Sequence, residues 1–429
     1  MDALSVFVVR VAKPSEARRS LGRFAVTSGA PWASKPDSCV NVAFTYEGLA
    51  ALGLSPDSLK SFPAEFIEGA VARASIVGDV DASAPEHWKP DLTQPGVHVL
   101  VMLFAQNAAI RDRQSALLRS QWSAGGAMTE VIVFNGDMLP GEVAHFGYRD
   151  GFSQPTIAGG LPSPITDVLP EAPAGEFLLG YPSQFSDFTY PVPVPAELGA
   201  NGSFLALRIL EQDCAAFDGL LNDAPAKYGI SGEELAAKFV GRWRNGVPLT
   251  LAPTMDSPTP QIPLQAINAY DYAPTAANPN AYDDRRGYRC PVGSHMRRNN
   301  PRNSMVAGNS GLRHRIVRRG LPYGPPFDPA HPHDGEERGL LGLFIAVSLK
   351  DQFEFLMSEW VNGDTFAPGL SGTKDPLLGH TASGAGKFTI PREGGQPIVV
   401  SGFSQLVTTR GAAYAFIPSL TALQYIAQL

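Results

Sequence analysis

The sequence predicts an α+β fold made of two related units with antiparallel sheets. The prediction depends on two stretches, VHVLVMLFAQNAAIRDRQSALLRSQW (97–122) and GLLGLFIAVSLKDQFEFLMSEW (339–360). Each reads as an apolar strand followed by a helix that ends in Trp. A short strand and a glycine follow in each case, in EVIVFNG (130–136) and QPIVVSG (396–402). One strand–helix order that occurs twice in a chain indicates a duplicated unit.

The hydrophobic period along the chain predicts the other elements. The first unit is expected to contain, in order, strand 5–12, helix 14–24, strand 40–46, helix 47–52, strand 97–104, a helix to residue 122 and strand 130–134. The second is expected to contain strand 203–210, helix 211–221, strand 339–347, helix 349–361 and strands 397–401 and 413–418. We therefore assign one unit to residues 1–200 and the other to residues 201–429.

Composition limits the classes of protein to which the chain can belong. Apolar residues make up 44% of the chain, enough for a sizeable core, and the net charge of −7 disfavours a nucleic-acid or anionic-membrane binder. No apolar run is long enough to cross a bilayer, and Asp2 stands where a secretory signal needs positive charge. Cys39, Cys214 and Cys290 are far apart and odd in number, which favours reduced thiols in a cytoplasmic protein.

Arginines are concentrated in one irregular stretch of the second half. Residues 285–319 contain ten arginines and no lysine: Arg285, Arg286, Arg289, Arg297, Arg298, Arg302, Arg313, Arg315, Arg318 and Arg319. Arginine without lysine indicates directional contacts to carboxylate or phosphate. The residues alone leave three interpretations open: a site for a dicarboxylate cofactor, a nucleic-acid surface, or an exposed face whose arginines pair with acids elsewhere in the protein.

Two residues in the loop-rich regions are candidates for chemistry. His295 lies in CPVGSHMRRNNPR (290–302), and histidine is the axial ligand that haem peroxidases use. Asp150 lies in GYRDG, where Gly147 and Gly151 permit a tight turn that could press a carboxylate against a flat ligand. Each residue also has an ordinary structural interpretation, as a hydrogen-bonded histidine or as an aspartate that stabilises its own turn.

Several segments together resemble the dye-decolorizing peroxidase family. GYRDGFSQP (147–155) is similar to its GxxDG motif, CPVGSHMRRNNPR to its proximal-histidine segment, and RHRIVRRGLPYGPP (313–326) to the segment with its distal arginine. Four more stretches also resemble the family and occur in the family's order: NVAFTYEGLAALG, FPAEFIEGA, GRWRNGVPL and QFEFLMSEWVN. The resemblance covers most of the chain. One departure is Tyr148, where phenylalanine is frequent in the family.

The resemblance implies a pair of ferredoxin-like units of the dimeric α+β barrel superfamily. It also implies haem b as the cofactor and hydrogen peroxide and organic donors, such as dyes and phenolics, as substrates. Relatives are often homodimers. The residue roles that it implies are His295 as axial iron ligand, Asp150 as distal acid–base group, Arg318 as distal arginine, Glu354 as the carboxylate near His295, and Arg298 and Arg302 as contacts to the haem propionates.

Two other functions compete with a peroxidase. A haem carrier or sensor would need His295 but not Asp150, so the intact GYRDG motif argues against it. A nucleic-acid-binding protein on the same fold would use the arginines without haem, and the net acidity argues against that. Because an aspartate ionises at about pH 4, a peroxidase that uses Asp150 is expected to work best in acid.

Overall fold

The computed structural model describes residues 1–161, 163–185, 188–254, 262–276, 278–302 and 308–429. The strands in these ranges are β1 (Ala3–Val11), β2 (Ser38–Phe44), β3 (Val99–Ala105), β4 (Met128–Asp137), β5 (Ser203–Gln212), β6 (Val317–Tyr323), β7 (Gly339–Ala346), β8 (Gly386–Ile390), β9 (Ile398–Phe403) and β10 (Val407–Ile417). No helix within these ranges is long and apolar enough to cross a membrane.

The helices lie between these strands, except α10, which follows the last strand. The α-helices are α1 (Pro14–Leu21), α2 (Tyr46–Ala51), α3 (Pro56–Lys60), α4 (Ala64–Ala72), α5 (Ala108–Ser123), α6 (Ala196–Gly199), α7 (Cys214–Tyr228), α8 (Gly232–Val240), α9 (His295–Asn299) and α10 (Leu420–Ala427). Two wide, π-type helical segments, Leu349–Glu354 and Leu356–Val361, follow β7. The helix expected at 349–361 is therefore present in a wider form.

Eight strands form one antiparallel sheet in the order β4-β1-β3-β2-β10-β5-β7-β6. The first half contributes its fourth, first, third and second strands. The second half contributes β10, β5, β7 and β6. If β5, β6, β7 and β10 are counted as its first to fourth strands, their order in the sheet is again fourth, first, third and second. This repetition confirms the predicted duplicated α+β fold with antiparallel sheets. The assignment of one unit to residues 1–200 and the other to 201–429 stays a prediction.

Two details differ from the expectation. Strand β6 was not predicted, because Gly320 and Pro322 interrupt its pattern, but proline is tolerated in a strand at the edge of a sheet. The stretch QPIVVSG is not the counterpart of EVIVFNG. It forms β9, which pairs with β8 in a separate two-stranded sheet, and β10 takes the expected place.

The large sheet curls until its outer strands meet. Gly136 of β4 lies so close to β6 that an added Cβ atom would come within 3.0 Å of the Pro322 carbonyl oxygen. Successive residues of a strand face opposite sides, so Leu4 and Val6 of β1 point into an inner cluster with Leu343 of β7. Phe7 faces the other side and packs edge-on against Trp122 of α5. Both halves of the chain therefore share one inner core.

A buried ion pair also links the two halves. Both carboxylate oxygens of Asp79, which follows α4, accept hydrogen bonds of 2.5 and 2.6 Å from Arg208 of β5. The Thr409 hydroxyl of β10 donates to Asp79 as well, at 2.7 Å. Because neither side chain is more than 3% exposed, water cannot stabilise the two charges, and each is stabilised by the other.

The first prediction concerns this pair. Replacing Asp79 alone, as Asp79→Ala, leaves the Arg208 guanidinium buried without a carboxylate, and we expect the free energy of unfolding to fall by about 3–5 kcal/mol. Urea unfolding followed by circular dichroism measures the change. The double variant Asp79→Leu/Arg208→Met removes both charges and should recover most of the loss. A fall below about 1 kcal/mol in the single variant would contradict the assignment.

Candidate active site

The turn that carries Asp150 is built by its neighbours. Gly147 and Gly151 adopt φ values of +83° and +88°, in the left-handed region that favours glycine. The Tyr148 ring is buried in an apolar cluster with Phe146, under the guanidinium of Arg244 at 5.3 Å. Its hydroxyl has no hydrogen-bond partner in the described part of the chain. Tyr148 is thus a packing residue, and the turn directs Asp150 away from this cluster.

Arg318 of β6 is the charged partner of Asp150. Its Nη1 lies 3.3 Å from Asp150 Oδ1, and that oxygen also accepts a 2.7 Å hydrogen bond from the Gly151 N–H. The Asp150 side chain is 59% exposed, and the protein atoms around it oppose its ionisation. Arg318 holds the pKa of the Asp150 carboxyl below its ordinary value, and the hydrogen bond from the Gly151 N–H lowers it further.

Gln154, which the sequence analysis did not single out, attaches the Asp150 loop to β6. Its side-chain amide donates to the Arg318 carbonyl oxygen at 2.8 Å and accepts from the Arg318 N–H at 3.1 Å. These are the two bonds that a residue of a neighbouring strand would make, and β6 has an outer edge on which to receive them. The Ser153 carbonyl oxygen also accepts from Arg318 Nη2, at 3.3 Å. The backbone positions of Arg318 and Asp150 are thereby coupled.

His295 begins the short helix α9 and is oriented by a carboxylate. Its Nδ1 lies 2.9 Å from Asp375 Oδ2, and the Asp375 side chain is fully buried. Burial opposes ionisation of Asp375, but His295 and the N–H groups of Leu377 and Leu378 hold the pKa of its carboxyl below the ordinary value. An ionised Asp375 makes Nδ1 the protonated nitrogen. The lone pair of Nε2 is then free to bind a metal, as in carboxylate–histidine–metal sites.

Asp375, and not Glu354, is the carboxylate on His295. The two oxygens of Glu354 accept hydrogen bonds of 2.6 Å each from Arg73, and the Tyr414 hydroxyl donates to it at 3.0 Å. Glu354 therefore belongs to a buried network between α4 and β10, and the expectation that it lies near His295 is corrected. Sequence reasoning missed Asp375 because TKDPLL carries only the signs of an ordinary turn.

Arg298 and Arg302 have partners within the protein, and their expected role as propionate contacts stays a prediction. Arg298 is fully buried and donates to the carbonyl oxygens of Trp360 and Thr373, at 2.7 and 2.9 Å. Arg302 is 3% exposed and donates to Asp167 at 3.0 Å and to the Tyr270 carbonyl oxygen at 2.8 Å. Their N–H groups hold the surrounding loops together. The Nε–H group of each arginine has no partner in the described part of the chain.

The arginine cluster as a whole is not one surface. Arg297 resembles Arg298 and Arg302, since it is fully buried and donates to the carbonyl oxygens of Cys290 and Asp284. These three arginines are buried, so they are not part of an exposed face paired with acids. Arg315 is half-buried, and its guanidinium contacts the neutral oxygens of Leu312, Pro170 and Gln184. Burial lowers the pKa of Arg315, so an additional anion would stabilise it.

The remaining features around His295 and Asp150 suit a flat, metal-containing cofactor. The partly buried side chains of Val292, Ile316 and Phe355 pack on an apolar cluster that contains Trp360, in segments that carry or adjoin the site residues. Within the described ranges, no group of three or more His, Cys, Asp and Glu side chains could hold a metal ion. A single histidine such as His295 would suit haem, in which the porphyrin nitrogens supply further ligands to the iron.

Comparisons with known proteins agree with this geometry. Residues 17–140 match the family model described as the DyP dimeric alpha+beta barrel domain. The chain is 32% identical over 413 residues to a dye-decolorizing peroxidase of Exidia glandulosa, which covers 93% of this chain and 77% of that protein. It is 28% identical to a multifunctional dye peroxidase of Amycolatopsis over 90% of this chain and 81% of the relative.

Solved structures show the same architecture. A dye-decolorizing peroxidase in complex with 2,6-dimethoxyphenol superposes with a TM-score of 0.82 at 25% identity, covering 99% of this chain and 96% of that one. An ancestral D-type dye-decolorizing peroxidase superposes with a TM-score of 0.83 at 26% identity, covering 99% and 95%. The chain therefore belongs to the dye-decolorizing peroxidase family of haem peroxidases, oxidoreductases that act on hydrogen peroxide.

Proposed function

We propose that this peroxidase binds one haem b through His295 and reduces hydrogen peroxide with the help of Asp150 and Arg318. One observation carries the proposal. Both hydrogen bonds that Asp150 accepts from described residues go to Oδ1, which leaves Oδ2 free to exchange a proton with a ligand. The overall reaction consumes one peroxide, two protons and two electrons and yields two molecules of water.

Each residue of the proposed site would have a separate role in the reaction. Haem supplies the redox chemistry, and His295, oriented by Asp375, would be its protein ligand. Asp150, kept ionised by Arg318, would accept a proton from one peroxide oxygen and return it to the other. Arg318 would stabilise the negative charge that develops on the departing oxygen. Arg315, which is half-buried and donates to neutral oxygens, joins Arg298 and Arg302 as a candidate for the contact to a propionate.

The proposed donors are small phenols and dyes. The relative whose structure contains 2,6-dimethoxyphenol is the basis for the phenolic class. We also propose a cytoplasmic location, supported by three buried, unpaired cysteines, because oxidising compartments favour disulfides. A homodimer is the proposed assembly, by analogy with the family, and light scattering of the purified protein tests it.

The second prediction tests the residue roles. Mixed with stoichiometric peroxide in a stopped-flow spectrometer, haem-loaded wild type should show a rapid change in its haem spectrum. We expect that step to be about 100- to 1,000-fold slower in Arg318→Leu, which loses a preorganised donor. We expect a loss of about 100- to 10,000-fold in Asp150→Asn, which cannot accept the proton.

The same experiment separates the peroxidase from a haem carrier or sensor. His295→Ala should lose normal haem binding, whereas Tyr148→Phe, which removes only an unbonded hydroxyl, should behave as wild type. Haem binding without any reaction with peroxide would indicate a carrier or sensor. A wild type that binds no haem would refute the proposal.

The third prediction concerns pH. Because the pKa of Asp150 is lowered, the residue is ionised above that pKa, and activity is lost only when the pH falls through it. The acid limb of the rate profile should therefore lie below the ordinary range of an aspartate. Arg318 is the largest cause of the lowering, so the limb should move to higher pH in Arg318→Leu. An unchanged limb in that variant would show that another group limits the rate in acid.

The fourth prediction concerns Gln154. Gln154→Leu removes both bonds between the Asp150 loop and the backbone of Arg318 while keeping a side chain of similar size. We expect the reaction with peroxide to slow by about 10- to 100-fold, since small misplacements of catalytic groups are costly, while haem binding is unchanged. Gln121→Leu, at an exposed position of α5, is the matched control. Equal rates in the two variants would contradict a positioning role.

A further inference from the structure

Asn299 lies one helical turn after His295, at the end of α9. Residues four apart on a helix share a face, so both side chains reach toward Asp375. We propose that Asn299 is a positioning residue that sets how strongly Asp375 binds the proton on His295, and thereby raises the reduction potential of iron held by His295. This inference rests on the proposed function, because it takes His295 as the iron ligand.

The amide nitrogen of Asn299 has two hydrogens, and both have acceptors. One goes to the His295 carbonyl oxygen at 2.8 Å and the other to Asp375 Oδ2 at 3.1 Å. The amide orientation is fixed by these partners, since a flipped amide would place its oxygen against two acceptors. Nδ2 also lies 3.3 Å from His295 Nδ1, but two donors face each other there when Nδ1 carries its proton. The interaction that matters is thus with Asp375.

All four hydrogen bonds that the Asp375 carboxylate can accept are made by the protein. Oδ1 accepts the backbone N–H groups of Leu377 and Leu378, each at 2.9 Å. Oδ2 accepts from His295 at 2.9 Å and from Asn299 at 3.1 Å. The Asp375 side chain is 0% exposed, so water does not compete for these positions. His295 and Asn299 therefore share one oxygen.

Sharing an acceptor weakens each bond to it. The Asn299 dipole withdraws part of the negative charge on Oδ2, which leaves less for the proton on His295 Nδ1. A weaker bond there gives the imidazole less anionic character, and a less anionic ligand stabilises the oxidised metal less. Without the amide, His295 would be the more electron-rich ligand. The reduction potential of the bound iron would then fall.

The experiment compares Asn299→Leu with wild type in two forms of the protein. In the haem-free protein, the NMR resonance of the His295 Nδ1 proton should move downfield, because the bond to Asp375 strengthens. In the haem-loaded protein, spectroelectrochemistry should show a reduction potential that is more negative by ~59 mV. This shift corresponds to a tenfold change in the equilibrium constant for one-electron reduction. Asn300→Leu is the matched control, since the neighbouring Asn300 side chain has no described contact with His295 or Asp375.

Asn299→Ser provides a second variant if leucine disturbs α9, because a serine hydroxyl is too short to replace the bond to Asp375. The same two shifts in this variant would support the proposal. An unchanged potential and an unchanged proton resonance in both variants, with haem still held by His295, would overturn it. If haem is not bound through His295 at all, the proposed function fails instead, and the haem-free resonance still decides whether Asn299 modulates the bond between His295 and Asp375.

Discussion

A buried guanidinium needs oxygen partners for most of its N–H groups, and this requirement organises much of the second half of the chain. Arg208 meets it with Asp79, Arg298 with carbonyl oxygens, and Arg302 with Asp167 and a carbonyl. Each of these arginines therefore holds separate segments of loop or strand in place. The site is assembled on this framework, in which Arg318 differs because it is 35% exposed beside Asp150.

Strand β6, which carries the partly exposed Arg318, lies at the edge of the sheet. An edge strand offers unpaired backbone groups, and Gln154 occupies those of Arg318, so the Asp150 loop is docked much as a further strand would be. The charge of Arg318 then keeps Asp150 ionised in surroundings that would otherwise favour the neutral acid. His295 is held independently by Asp375. Separate sets of hydrogen bonds thus position the proposed acid–base group and the proposed iron ligand.

Local patterns were sufficient to predict much of the fold. The strand–helix repeat, with both helices ending in Trp, predicted the duplicated antiparallel architecture. The spacing of apolar residues that is typical of strands, and the one that is typical of helices, can be recognised in a single sequence. They were not sufficient for β6, whose Gly320 and Pro322 are acceptable only at a sheet edge, nor for the choice between β9 and β10 as the fourth strand. Those outcomes depend on which strands become neighbours, and the local pattern does not contain that information.

The sequence by itself determined the candidates His295, Asp150 and Arg318, since each lies in a short motif that resembles one of the dye-decolorizing peroxidase family. Only the tertiary structure decided which charged groups meet. Asp375 lies 80 residues from His295 and Glu354 lies 281 from Arg73, so neither pairing can be read from spacing. Arg298 and Arg302 look like anion-binding residues in the sequence, and folding buries them among carbonyl oxygens. The role of a long charged side chain depends on its burial and its partners, and folding sets both.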